Sequence, residues 1–273
     1  MISLAAIKNK KGTMRKGIIL AGGSGTRLRP LTTAITKQLL PVYDKPLIYY
    51  PLSTLMLAGI KDIMLIVSPR DLNSFKILFG DGSHLGINLN YAVQESPKGI
   101  ADALNIASNF IDGHASCLIL GDNIFFGNNL GNELRLLSDD EATNYIVGYQ
   151  VKNPQDYGVI QEVDGKIVAI EEKPTNPNSN TIATGLYFYN KHIKLTLEFV
   201  RPSLRGELEI TDLNNRLLSE NGLLLHRLGR GHAWFDAGTP EGLLKASIFI
   251  ENIQSRQGLL IGSPEEIAIN DDS

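Results

Sequence analysis

At 273 residues, with 43% hydrophobic and 20% charged residues, the chain has the composition of a folded globular protein, which excludes general disorder. Five of its 26 basic residues fall in residues 1–16, which hold no acid, so the remainder carries −8 against an overall −3, a poor match to a nucleic-acid backbone. The single cysteine, Cys117, excludes an intrachain disulfide and suits a reducing cytoplasm, and the longest charge-free apolar stretch, residues 46–60, is too short to span a bilayer.

Residues 1–15 read as a disordered extension. Their charges follow the apolar opening instead of preceding it, which is the wrong order for a signal peptide. Residues 16–20 predict a buried strand that runs straight into the glycine-rich segment Gly22-Gly-Ser-Gly25-Thr-Arg27. A helix is expected over 46–59, started by Pro46 and stopped by Gly59. A strand over 62–68, a helix over 71–79 and a strand over 89–93 follow. Ile100, Ala103, Leu104, Ala107 and Ile111 form a helical stripe over 99–111, and 116–120 is a continuous apolar strand ending at Gly121-Asp122-Asn123. Repeated strand–helix units predict a doubly wound, mostly parallel α/β sheet, with ligands outside the C-terminal strand ends.

The second half changes character. Segments 159–163 and 167–172 flank Asp164-Gly165, a hairpin signal. Strands are expected over 183–189, 223–228 and 233–235, and helices near 192–200, 210–221 and over 240–254. Hairpin-paired strands predict a smaller, partly antiparallel region grafted onto the first sheet. Residues 16–273 therefore read as one domain, and 176–180 is its most loop-like stretch.

The glycine loop suits an anion, because glycines let backbone N–H groups approach without a Cβ in the way. It is neither a P-loop nor a dinucleotide fingerprint, since neither Gly-Lys-Ser/Thr nor a third glycine follows. Arg27 and Lys37 supply the fixed cations that a triphosphate also needs. The five histidines show no metal-ligand spacing, and no activated Ser, Cys or His constellation is visible.

Gly-Ile-Ile-Leu-Ala-Gly-Gly-Ser-Gly-Thr-Arg-Leu at 17–28, Lys-Gln-Leu-Leu-Pro-Val-Tyr-Asp-Lys-Pro at 37–46, Leu-Gly-Asp-Asn at 120–123, Glu-Glu-Lys-Pro at 171–174, Arg-Gly-Glu-Leu-Glu-Ile-Thr-Asp at 205–212 and Trp-Phe-Asp-Ala-Gly-Thr at 234–239 stand in one order. Together they resemble the sugar nucleotidyltransferase family, and within it the thymidylyltransferases that act on glucose 1-phosphate. The resemblance runs from about residue 16 to about residue 269. It implies a nucleotide-binding half near 16–150, a sugar-phosphate half near 151–255 and a shortened C-terminal region over 256–273.

By that resemblance Gly22, Gly23, Gly25 and Thr26 cradle the nucleotide, Gln38 and Gln94 read the thymine edge, and Pro97 and Gly99 line the base pocket. Asp122 and Asp236 are implied ligands of Mg²⁺, with Asp122 also beside the nucleotide. Gly158, Glu172, Lys173, Tyr187 and Trp234 are implied sugar contacts, and Arg205 clamps the sugar phosphate beside Lys173. Arg27, Lys37, Lys173 and Arg205 would carry catalysis by positioning and charge, since a sugar 1-phosphate is already ionised and needs no general base. The implied partners are dTTP and glucose 1-phosphate, with no nucleic acid and no membrane. The implied assembly is a homotetramer, and the implied destination is a deoxysugar such as rhamnose. Arg230 and Gly127 match part of a secondary feedback site, where Phe126 replaces a usual Tyr. Two other readings stay open: a uridylyl- or cytidylyltransferase on a related sugar phosphate, and a non-catalytic nucleotide-sugar sensor.

Overall fold

Strand β1 (Lys16–Ala21) shows how the sheet acquires two covered faces. Its side chains alternate, so Ile18 enters one apolar core and Ile19 the other. The computed structural model describes residues 14–271 apart from Ser24, Leu204 and Asn221. After β1 come the glycine loop, two short 3₁₀ turns (Thr26–Leu28 and Lys37–Leu39) and a small ribbon of β2 (Pro41–Val42) with β3 (Lys45–Pro46). Then follow α1 (Tyr49–Leu57), β4 (Asp62–Val67), α2 (Leu72–Phe79), β5 (Asn88–Val93), α3 (Asp102–Ile106), α4 (Ser108–Ile111) and β6 (Ser116–Leu120). The strands lie in the order β6-β1-β4-β5, all parallel. α1 and α2 cover one face through Leu52, Leu55, Phe75 and Phe79, and α3 and α4 cover the other through Leu104 and Ile111. That is the expected doubly wound arrangement.

The chain continues with β7 (Asn123–Gly127), α5 (Leu130–Asp139) and β8 (Asn144–Gln150), a stretch for which the sequence patterns above make no prediction. Next are β9 (Gly158–Val163), β10 (Lys166–Glu172), β11 (Thr181–Tyr189), α6 (Ile193–Leu197), α7 (Ile210–Ser219) and β12 (Leu223–Arg227). Strand β13 (His232–Asp236), α8 (Pro240–Gln257) and α9 (Pro264–Asp271) complete the order. β11 joins the halves: it runs antiparallel to β6 on one side and to β8 and β9 on the other. β9 and β10 form the expected hairpin, with Asp164 and Gly165 both at positive φ (51° and 73°), as a two-residue I′ turn requires. β12 adds to β8 in parallel.

Three expectations need correction. Ala103, Leu104, Ala107 and Ile111 of the stripe are buried and Ile100 is half-buried, but the helix starts only at Asp102 and breaks at Ala107. Gly99 is no helical residue: its φ is +96°, and a Cβ there would lie 2.3 Å from the Leu208 carbonyl oxygen. Pro46 pairs with Pro41 in the small ribbon, so α1 begins at Tyr49.

Finally, Arg15 belongs to the folded body and not to an extension. Only 1% of it is exposed. Its guanidinium donates to the carbonyls of Ser116 (2.9 Å) and Tyr189 (2.8 Å), and to those of Ser138 (3.1 Å) and Asp140 (2.7 Å) at the end of α5. Residues 1–13 lie outside the described residues.

Candidate active site

The two carboxylates singled out in sequence lie 114 positions apart, and a short ribbon brings them together. β13 pairs antiparallel with β7, opposing Asp236 to Asn123, the neighbour of Asp122. The Ala237 N–H also donates to the Asp122 carbonyl (2.9 Å). A methyl placed on Gly238 would lie 2.8 Å from Asp236 Oδ1, 2.9 Å from Arg27 Nη2 and 3.2 Å from Asp122 Oδ2. Two carboxylates and one guanidinium thus converge on a point that only glycine leaves open.

Lys37 ties this cluster to the glycine loop. Its Nζ pairs with Asp122 Oδ2, and a Cβ on Gly23 would lie 3.9 Å from the same ammonium. Burial alone would raise the Asp122 pKa, but the Lys37 charge and hydrogen bond, with the Asn123 amide, hold it below the usual carboxylate range. Burial, reinforced by the Asp122 charge, raises Asp236, and the Gly238 N–H, Arg27 and Lys37 offset only part of that. Two like charges crowded in a buried site are the condition that a divalent cation relieves. Two carboxylates also suffice for Mg²⁺, which completes its octahedron with waters and substrate phosphates. Among the described residues no cluster of three or more His, Cys, Asp or Glu side chains suits a metal, so a closed, all-protein site is not what this pair builds.

On one side of Lys37 a cavity of about 510 Å³ is lined by Gly22, Gly23, Arg29, Thr32, Arg70, Gln94 and Pro97. Gln94 is 5% exposed, and its Nε2 donates to Asp102 Oδ2 (3.0 Å). Gly25 adopts φ +61° as the loop turns into the 3₁₀ turn opened by Thr26, and its carbonyl accepts from Thr32 Oγ1 (2.7 Å). Gln38 does not line this cavity. It is 1% exposed, and its Oε1 accepts from Thr36 Oγ1 (2.8 Å). Gly99 does not line it either, being packed on Leu208 as described above.

On the other side a cavity of about 180 Å³ is lined by Arg27, Asp122, Tyr157, Gly158, Glu172, Lys173, Tyr187, Trp234 and Asp236. It brings together every implied sugar residue except Arg205. Lys173 sits at φ +46° with its N–H on the Tyr157 carbonyl (3.0 Å), which turns β10 out of its ladder at the cavity mouth. Trp234 Nε1–H donates to Asn123 Oδ1 (2.6 Å) and the Thr184 carbonyl (3.1 Å). Glu172 Oε2 accepts from Thr211 Oγ1 (2.6 Å). Arg205 instead pairs with Glu209 (2.8 Å), and half its side chain is exposed. The sequence reading also missed Asn123, Thr184 and Thr211. Asn123 was visible beside Asp122, but Thr184 and Thr211 reach the site only through sheet pairing and helix packing. A third cavity, about 560 Å³, is lined by Phe126, Gly127, Ser263 and Glu266, and Arg230 is not part of its wall.

Residues 16–253 match the family described as nucleotidyl transferase. The chain belongs to that family. Proteins named glucose-1-phosphate thymidylyltransferase match it along most of its length. That of Xanthomonas campestris pv. campestris is 54% identical over 94% of this chain and 87% of its own, and that of Neisseria meningitidis is 51% identical over 93% and 88%. A solved structure from Bacillus anthracis, assigned as a glucose-1-phosphate thymidylyltransferase and bound to sucrose, superposes with a TM-score of 0.80 at 36% identity, over 86% of this chain and 94% of its own. A UDP-glucose pyrophosphorylase bound to UDP-glucose shares the fold at 23% identity, with a TM-score of 0.75 over 88% of this chain and 99% of its own. Among the described residues no helix is long and apolar enough to cross a membrane.

Proposed function

We propose that this family member is a glucose-1-phosphate thymidylyltransferase, joining dTTP and glucose 1-phosphate into dTDP-glucose with release of pyrophosphate. The observation that carries the reading is the convergence of Arg27, Asp122 and Asp236 on Gly238, between a glycine-lined cavity and a smaller, sugar-sized one. The named relatives support it, since they match this chain over 87–88% of their own length.

In this reading the nucleophile is the phosphate of glucose 1-phosphate, held by Lys173 while Glu172, steadied by Thr211, takes the sugar hydroxyls. Backbone N–H groups of the glycine loop and the charges of Arg27 and Lys37 hold the triphosphate in line and stabilise the departing pyrophosphate. No covalent enzyme intermediate is needed. Cys117, the obvious thiol, is fully buried, and its burial pushes it up to about 12. Asp122 and Asp236 would hold Mg²⁺, which when bound neutralises phosphate oxygens. Arg205 takes part only by leaving Glu209.

Homotetramer assembly, a cytoplasmic location and a role in supplying deoxysugar (rhamnose-type) precursors belong to the same proposal. Leu244 and Ile248, one turn apart on α8, with Leu259 and Leu260 beyond it, supply exposed apolar surface for subunit contacts. The test is the initial rate of pyrophosphate release from glucose 1-phosphate with dTTP, UTP, CTP or ATP. A preference for dTTP is the expected result. A preference for UTP or CTP would transfer the reading to another base. Nucleotide-sugar binding without turnover would favour the sensor.

A further inference from the structure

We infer that Asp102 is a positioning residue which decides the class of base this enzyme accepts, by fixing the amide of Gln94. The inference rests on the reading of Gln94 as the amide that meets the nucleobase. A carboxylate accepts hydrogen bonds and does not donate them. The atom of Gln94 that faces Asp102 Oδ2 at 3.0 Å is therefore its NH₂ group, and the amide has only one orientation compatible with its neighbour. The carbonyl end is then aimed at the glycine loop. A Cβ on Gly22 would lie 2.8 Å from Gln94 Oε1, so residue 22 must be glycine for that oxygen to face the cavity.

The consequences follow from the base edges. One N–H of Gln94 is used by Asp102, which leaves the other N–H and the Oε1 side by side. Thymine and uracil present an N3–H donor beside an O4 acceptor, so both groups of the fixed amide find a partner. Cytosine presents a bare N3 beside an N4–H₂ donor, so both contacts become repulsive. An amide free to turn by 180° would serve cytosine equally well. Asp102 removes that freedom.

The position of Asp102 is itself held from outside the base pocket. It opens α3 directly after the segment pinned to Leu208, where the Ala101 N–H donates to the Leu208 carbonyl (3.1 Å) and the Leu208 N–H to the Lys98 carbonyl (2.7 Å). The positive φ of Gly99 and its contact with the Leu208 backbone make that docking possible. Gly99, implied in sequence to line the pocket, acts instead by placing Asp102.

The experiment measures kcat/KM for dTTP, UTP and dCTP, with glucose 1-phosphate and Mg²⁺, in Asp102→Leu, Asp102→Asn and Gln94→Leu full-length protein. The expected result for Asp102→Leu is a dTTP/dCTP ratio at least about tenfold lower, carried mainly by KM for the nucleotide. Its dTTP/UTP ratio should stay unchanged, because those bases share the edge being read, and KM for glucose 1-phosphate should not move. Asp102→Asn can donate as well as accept, so it keeps the size and a hydrogen bond but releases the amide to turn; it should lower the ratio as the leucine variant does, which also covers the case in which the leucine variant fails to fold. A wild-type dTTP/dCTP ratio in Asp102→Leu, with the ratio collapsed in Gln94→Leu, would overturn the role of Asp102 and leave Gln94 as base reader. An unchanged ratio in Gln94→Leu would overturn the reading of Gln94, and the inference with it.

Discussion

The two halves of the molecule build their share of the site by different means. In the parallel half the nucleotide side is local: Gly22 and Gly23, which line its cavity, fall within sixteen positions of Gly25, Lys37 and Arg27, the last of which reaches the wall of the sugar-side cavity from the same loop. In the second half the sugar side is assembled from β10, β11, α7 and β13, and two of its polar groups are steadied by a partner from another element, Glu172 by Thr211 and Trp234 by Asn123. A parallel strand end offers backbone donors to an anion with little help. A sugar has neutral hydroxyls, which demand side chains fixed in several directions at once. The Asp122–Asp236 pair lies where the two designs meet, at the end of the β7–β13 ribbon.

The sharpest way to break this comparison acts at the meeting point. Chelation with EDTA should abolish pyrophosphate release, and Mg²⁺ in excess should restore it. Undiminished turnover in EDTA would remove the carboxylate pair from the chemistry. Lys37→Met leaves Asp122 and Asp236 facing each other without their ammonium, and kcat should fall by roughly 10²–10³. Lys173→Met should act on the other half, raising KM for glucose 1-phosphate more than KM for dTTP. Equal effects of Lys173→Met on the two KM values would erase the division between the halves.

Paired glycine substitutions sharpen it further. Gly238→Ala drives a methyl onto Asp236, Arg27 and Asp122, and kcat should drop by about 10²-fold. In Gly158→Ala the methyl meets Glu172 Oε2 and Thr211 Oγ1 at 3.5 Å, an ordinary contact. That variant should fold normally and lose affinity for glucose 1-phosphate alone, seen as a rise in its KM. The smallest expected effect lies away from both halves of the site. Cys117 should resist alkylation at pH 8 in the native protein and react once unfolded in urea, since burial holds the thiol near 12. The sign follows from linkage: a raised native pKa means the folded state keeps its proton longer. This contribution to stability is whole below the unfolded thiol value and is lost as pH rises toward 12.

What could be read before the fold was known divides along the same line. β1, β4 and β6 were legible as apolar runs because inner parallel strands are buried on both faces, and β5, at the sheet edge, was legible by its alternation. The Asp164-Gly165 hairpin was legible because its turn needs two positive φ values. Arg15 was not: a lone arginine next to a lysine-rich terminus has the pattern of a solvated charge, and only α5, β6 and β11 around it supply the carbonyls that hold it.

By itself the sequence determined the doubly wound sheet, the glycine loop with its two cations and, through the order of its motifs, the family. Those depend on periodicity and on residues close together along the chain. Only the tertiary structure decided that Asp122 and Asp236 share one point, that Arg205 turns to Glu209 and that Asp102 orients Gln94. These are matters of which side chain meets which across the fold, and a partner chosen by packing leaves no periodic trace in the chain.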